Sequence, residues 1–105
     1  YPIDAAEFFH GPFEIVDRTT PLVLIKGEDP SRPIMDRVAR FCDTYAGRVM
    51  TYDSLAYPMP GVPDAIRPLV APFVLQAALK RFAAHLSVLR GQPLSTRRYM
   101  WKVAY

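Results

Sequence analysis

The run Pro21-Leu22-Val23-Leu24-Ile25 is continuously apolar and partly β-branched, and a second such run, Arg48-Val49-Met50-Thr51-Tyr52, follows it. An unbroken apolar run of this length fits a strand covered on both faces, as in a parallel sheet. Between the two lies Ile34, Met35, Val38, Phe41, Cys42 and Tyr45, an amphipathic helical spacing that ends near Ala46. Ser31 suits its N-cap, Pro33 its first turn, and Gly47 its stop. Strand, helix and strand joined by short connections form the right-handed crossover unit of a parallel sheet. The fold class is therefore α/β. Two strands alone cannot cover a sheet's faces and edges, so the remaining strands belong to another chain or to the rest of a larger doubly wound domain.

Working outward, Lys26-Gly27-Glu28-Asp29-Pro30 closes the first strand as a loop, and Asp53-Ser54 ends the second. Residues 55–63, with Pro58, Pro60 and Pro63, are expected to be irregular. A long helix is predicted from Asp64 to about Arg90. It carries Ala65, Leu69, Phe73, Ala77, Lys80 and Ala84 along one stripe and Leu75, Leu79, Phe82, Leu86 and Leu89 along others. A helix apolar nearly all round is expected to be buried in a domain or between subunits. Pro68 and Pro72 are expected to disturb its start, while Gly91 and Pro93 stop it. The last stretch is rich in Arg and aromatic residues (Arg97, Arg98, Tyr99, Trp101, Lys102, Tyr105) and is too apolar for a free tail.

The chain has 105 residues, half of them apolar, which bounds it to one small domain that is marginal alone. Its net charge of +3 is too small to argue for nucleic acid. The basic residues crowd the C-terminus, whereas the first stretch is acidic (Asp4, Glu7, Glu14, Asp17). Such asymmetry suits an interaction tail or one anion-binding spot. The single cysteine, Cys42, permits no internal disulfide, lacks metal-ligand spacing and reads as a buried helix residue. No secretory signal or membrane-spanning stretch is apparent, which makes a reducing cytoplasm the default. The opening Tyr1-Pro2-Ile3 lacks a methionine and reads as the middle of a longer polypeptide.

The chemistry concentrates in Glu7-Phe8-Phe9-His10-Gly11-Pro12-Phe13-Glu14. Glu7 and His10 share a face on a helix or tight turn, and Glu14 returns to it. A carboxylate beside an imidazole can fix its tautomer and tune its pKa, the equipment of a proton-transfer site. Any surface helix with an acid and a base at this spacing looks the same, so the pattern alone leaves both readings open. A loop through Gly11 and a short helix from about Pro12 to Asp17 are expected. The positive end of that helix would face His10, where an anion is welcome. His85, on the long helix with no acid nearby, reads as a packing residue. Phe8, Phe9 and Phe13 read as packing, not as a substrate platform.

These residues resemble a known family. The segment Ala6-Glu7-Phe8-Phe9-His10-Gly11-Pro12 is similar to the "GE..HGP" signature of sugar isomerase (SIS) domains of the glucosamine-6-phosphate synthase and deglycase branch, with Ala6 in place of the usual glycine. The ending Arg97-Arg98-Tyr99-Met100-Trp101-Lys102-Val103-Ala104-Tyr105 resembles the fructosamine 6-phosphate deglycases more specifically, with Ala104 where relatives often carry Glu. The resemblance covers essentially the whole chain and implies the C-terminal portion, residues 1–105, of a single SIS domain with a doubly wound parallel sheet.

It also implies an activity, the cleavage of a 6-phosphofructosyl amino acid to glucose 6-phosphate and the free amino acid, without metal or cofactor. His10 would be the acid or base at the sugar ring, contributed across a homodimer interface to a shared site. Lys102 would contact the sugar or assist ring opening, and Arg98 would hold the tail or an anion. Glu7 would orient His10, and Glu14 would be structural or stand behind it. The family's isomerising Glu and its Ser/Thr-rich phosphate loop belong to the part of the domain missing from these residues, and Glu7 is not that Glu. The alternatives are a phosphosugar-binding SIS module, as in regulators that carry a helix-turn-helix domain not seen here, and another phosphosugar isomerase.

Overall fold

The computed structural model describes residues 2–92; Arg98 and Lys102 lie outside the described residues. The order is α1 (Ala5–Phe8), a 3-10 turn (Pro12–Ile15), β1 (Pro21–Lys26), α2 (Arg32–Tyr45), β2 (Arg48–Asp53), two further 3-10 turns (Ser54–Ala56, Asp64–Ile66) and α3 (Arg67–Leu89). β1 and β2 pair in parallel, with Pro21 opposite Arg48 and Lys26 opposite Asp53. The chain is thus mixed α/β, with the crossover unit and three helices that its patterning implies.

The described residues fall into two compact units, residues 2–75 and the residues from Gln76 onward. In the first, Phe8, Leu24, Val38, Cys42 and Ala46 form the buried core, with Leu22, Met35, Phe41 and Val49 packed against it. Cys42 is fully buried, and that burial pushes its thiol pKa up. The alternation of β1 decides which residues reach this core: Leu22 and Leu24 face α2, whereas Val23 and Ile25 stay 44% exposed, as does Met50 of β2. The expectation of a strand covered on both faces is therefore met on one face only, because the described residues supply a single crossover helix.

Gly47 permits the entry to β2. A Cβ placed there would stand 1.8 Å from the carbonyl oxygen of Arg18, so only glycine lets the two backbones cross.

Two local expectations are corrected. The helix expected over Pro12–Asp17 is a single 3-10 turn, Pro12–Ile15, and the α-helical residues lie earlier, at Ala5–Phe8. Asp4 explains the shift: its carboxylate accepts from the Ala6 amide at 2.8 Å and caps α1. Ser31 does not cap α2 with its side chain. Its hydroxyl donates instead to Asp29, whose carboxylate also accepts the Ser31 amide at 2.7 Å. On the part of α3 that belongs to the first unit, Leu69 and Phe73 are 73% and 70% exposed, while Ala71 and Leu75 are buried.

In the second unit, α3 ends as predicted. Gly91 takes φ +68°, the Gln92 amide donates to the Ser87 carbonyl at 2.9 Å and the Gly91 amide to Val88 at 2.9 Å. This is the glycine-terminated motif that satisfies the last carbonyls of a helix. Among the described residues no helix is long and apolar enough to cross a membrane.

Candidate functional site

The His10 turn is built by local hydrogen bonds. The His10 amide donates to the Glu7 carbonyl at 3.0 Å and closes α1. Gly11 then takes φ +154°, and the Glu14 amide donates to the Gly11 carbonyl at 3.0 Å to open the 3-10 turn. Among the described residues nothing lies within 4 Å of a Cβ built on Gly11, so its backbone conformation, not space, requires glycine. Asp17 completes the passage to β1 by accepting from the Thr19 amide at 2.8 Å and from the Thr19 hydroxyl at 2.6 Å, and these bonds lower its pKa.

Glu7, His10 and Glu14 all sit on this turn and are all exposed. Among the described residues neither carboxylate hydrogen-bonds or pairs with the His10 ring. The arrangement thus presents an accessible imidazole on a rigid turn. Rigidity comes from rings: Phe9 and Phe13, which bracket the turn, pack on Phe41 of α2 at centroid distances of 5.9 and 5.8 Å. Phe8, Phe9 and Phe13 are packing residues, as their spacing suggests. His85 is exposed on α3, beside Ala84, Val88 and Leu89.

One constellation escaped the sequence reading. At the carboxyl ends of β1 and β2, Lys26 pairs with Asp36 (2.5 Å) and Asp53 (3.7 Å), and Arg32 pairs with Asp53 (2.6 Å). Arg67 at the start of α3 grips Glu28 with two nitrogens, at 2.9 and 3.2 Å. Three cations face three carboxylates, so the cluster is internally neutralised and leaves no spare charge for a phosphate. In open α/β sheets this edge is where ligands bind; the position of the 26–30 loop at a strand's end was the available signal. Ser54 is fully buried beside Glu28 and contributes to lowering its pKa, yet its hydroxyl has no partner at ordinary hydrogen-bond length among the described residues. A hollow of about 340 Å³ opens nearby, its lining including Phe8, Leu24, Met35 and Val38 as well as Asp4 and Asp29. Among the described residues no group of three or more His, Cys, Asp or Glu could hold a metal ion.

The cluster predicts an acid limb. Arg67 holds the Glu28 carboxyl below its ordinary range, Arg32 does so for Asp53 and Lys26 for Asp36. The unfolded chain therefore binds more protons than the folded one as the pH drops through the carboxylate range. Stability from these groups is fully present above about pH 5 and is lost progressively below it. Thermal melts at falling pH check this, and Arg67→Met together with Asp53→Asn should flatten the loss.

No family model matches the chain. Its fold is that of the phosphosugar isomerases. It superposes with a TM-score of 0.90 on a crystal structure from Bacillus subtilis described as a phosphosugar isomerase, at 39% identity over 100% of this chain and 32% of the other. A second such structure, from Salmonella typhimurium, gives a TM-score of 0.86 at 34% identity, over 98% of this chain and 32% of that one. Among curated proteins, the chain is 39% identical to fructosamine deglycase FrlB of Bacillus subtilis over all 105 residues, 32% of that protein. It is 29% identical to fructoselysine 6-phosphate deglycase of Escherichia coli O157:H7 over 97 residues, 27% of that protein. The chain thus has the fold of part of these phosphosugar isomerases and resembles fructosamine deglycase and fructoselysine 6-phosphate deglycase in sequence. It spans about a third of the length of the relatives it matches.

Proposed function

We propose that the complete protein to which these residues belong is a deglycase. Its substrate would be a 6-phosphofructosyl amino acid and its products glucose 6-phosphate and the free amino acid. The carrying observation is the 39% identity to fructosamine deglycase FrlB along the chain's full length. In this reading residues 1–105 are the C-terminal portion of one SIS domain in a cytoplasmic homodimer, with sites shared between subunits.

The sugar ring opens, a proton leaves C1 and another is delivered to C2, and the resulting imine adds water at C1 and expels the amine. An exposed imidazole on a constrained turn suits the proton steps: His10 acts as acid or base at the ring. Glu7 orients His10, and Glu14 is structural or stands behind it. Lys102 contacts the sugar or assists ring opening, and Arg98 holds the tail or an anion. The isomerising base and the phosphate cradle come from the remainder of the protein, in keeping with the neutralised cluster at the strand ends.

Release of glucose 6-phosphate from 6-phosphofructosyl-lysine or -aspartate by the complete protein tests the reading. No release from any such substrate, with a phosphosugar still bound, would overturn it. A second reading, aldose–ketose isomerisation of a phosphosugar, is favoured by the description of the two solved structures and predicts interconversion of sugar phosphates without amine release. Truncation after Pro93 removes Arg98 and Lys102 and is expected to lower deglycase turnover by about tenfold or more. Unchanged turnover would show that the tail only packs.

A further inference from the structure

The His10 turn has no side-chain bond to hold its ring among the described residues, so its position depends on what anchors the turn itself. Two backbone bonds, from the His10 and Glu14 amides, shape it internally. Its attachment to the fold is aromatic. Phe9 precedes His10 and Phe13 follows Gly11-Pro12, and their rings lie 5.9 Å apart. Both rings meet the same third ring, Phe41 of α2, nearly edge-on: 88° for Phe9 and 82° for Phe13. Phe41 is itself braced by Phe8 at 5.8 Å and Tyr45 at 4.7 Å, and Arg37 lies over the Phe9 ring at 5.6 Å. Edge-to-face ring pairs have a preferred geometry that aliphatic packing lacks, so they fix orientation as well as burial.

We propose that Phe41 is a positioning residue for His10: through its edge-on contacts with Phe9 and Phe13 it clamps both ends of the turn and so sets where the imidazole stands. The inference rests on the proton-transfer role proposed for His10. Loosening one end of so short a turn moves the ring by a fraction of its own width, and misplacements of that size are costly in catalysis.

The test uses the complete protein with Phe41→Leu, Phe41→Tyr and Val38→Ala. Val38 is a buried neighbour on α2 that makes no ring contact with the turn. Phe41→Leu is expected to lower kcat between about tenfold and a hundredfold, with KM within about twofold because substrate binding is untouched. Hydrogen exchange of the 9–16 segment should quicken about tenfold while β2 is unchanged. Phe41→Tyr, which keeps the ring, should restore both readouts, and Val38→Ala should move neither selectively. Should Phe41→Leu fail to fold, Phe13→Leu removes one end of the clamp and is expected to show the same pattern. Wild-type kcat and unchanged exchange at 9–16, or equal losses from Val38→Ala, would overturn the proposal. If the unaltered protein releases no glucose 6-phosphate, the deglycase reading fails instead, while the exchange measurement still decides whether the clamp exists.

Discussion

His10→Asn in the complete protein is expected to lower deglycase turnover by about a hundredfold to ten-thousandfold, the usual worth of a general acid or base. Asn keeps a polar, planar side chain but cannot titrate near neutrality. The ring is exposed and bound to no other described side chain, so the substitution leaves no buried group unsatisfied. Stability should therefore be nearly unchanged, which separates a chemical loss from a folding one. The check is kcat of the purified variant beside its thermal midpoint. A loss below about threefold would show that His10 is a surface histidine and not the proton-transfer group.

The largest effect on folding is expected at Gly47. In Gly47→Ala the new methyl would sit 1.8 Å from the Arg18 carbonyl oxygen and 2.6 Å from its carbon, both backbone atoms. No side chain can swing aside, so the loop before β1 or the start of β2 must move. That movement threatens the Gly47 amide bond to the Thr20 carbonyl, 3.3 Å long, at the head of the ladder. The expected cost is about 3 kcal/mol, the upper range for overpacking. Gly61→Ala is the control: Gly61 has φ +77° with nothing within 4 Å among the described residues, so backbone strain of about 1 kcal/mol is at stake. Urea midpoints of the two variants check the ranking. Equal midpoints would mean that the backbone at Arg18 yields freely.

Much of this fold is legible in the residues. The apolar runs at 21–25 and 48–52 with an amphipathic helix between them suffice for a parallel pair, because only one crossover hand and few lengths satisfy the chain. The glycine stop at Gly91 follows from the φ that only glycine adopts cheaply. The first turns were less legible. Whether Ser31 or Asp29 serves the start of α2 depends on where a side chain can reach after the loop has bent, and the pattern Asp29-Pro30-Ser31 permits either. Similarly, Asp4 draws the helix forward to Ala5 although the apolar spacing of Phe9, Phe13 and Val16 favours a later one.

For the site the division is sharper. The residues of the His10 turn, their spacing and their resemblance to the SIS signature are properties of the linear chain, since adjacent positions on a turn are neighbours whatever the rest does. Lys26, Glu28, Arg32, Asp36, Asp53 and Arg67 are scattered across a loop, two strands and two helices, and nothing in their order says that they neutralise one another. Likewise Phe41 stands 28 positions beyond Phe13, yet their ring centroids are 5.8 Å apart. Sequence alone determined which groups can do chemistry here, because that is set by residue type and local spacing. Only the tertiary structure decided which charges are cancelled and which ring holds the turn, because contacts across the chain exist only once α2 has packed on β1.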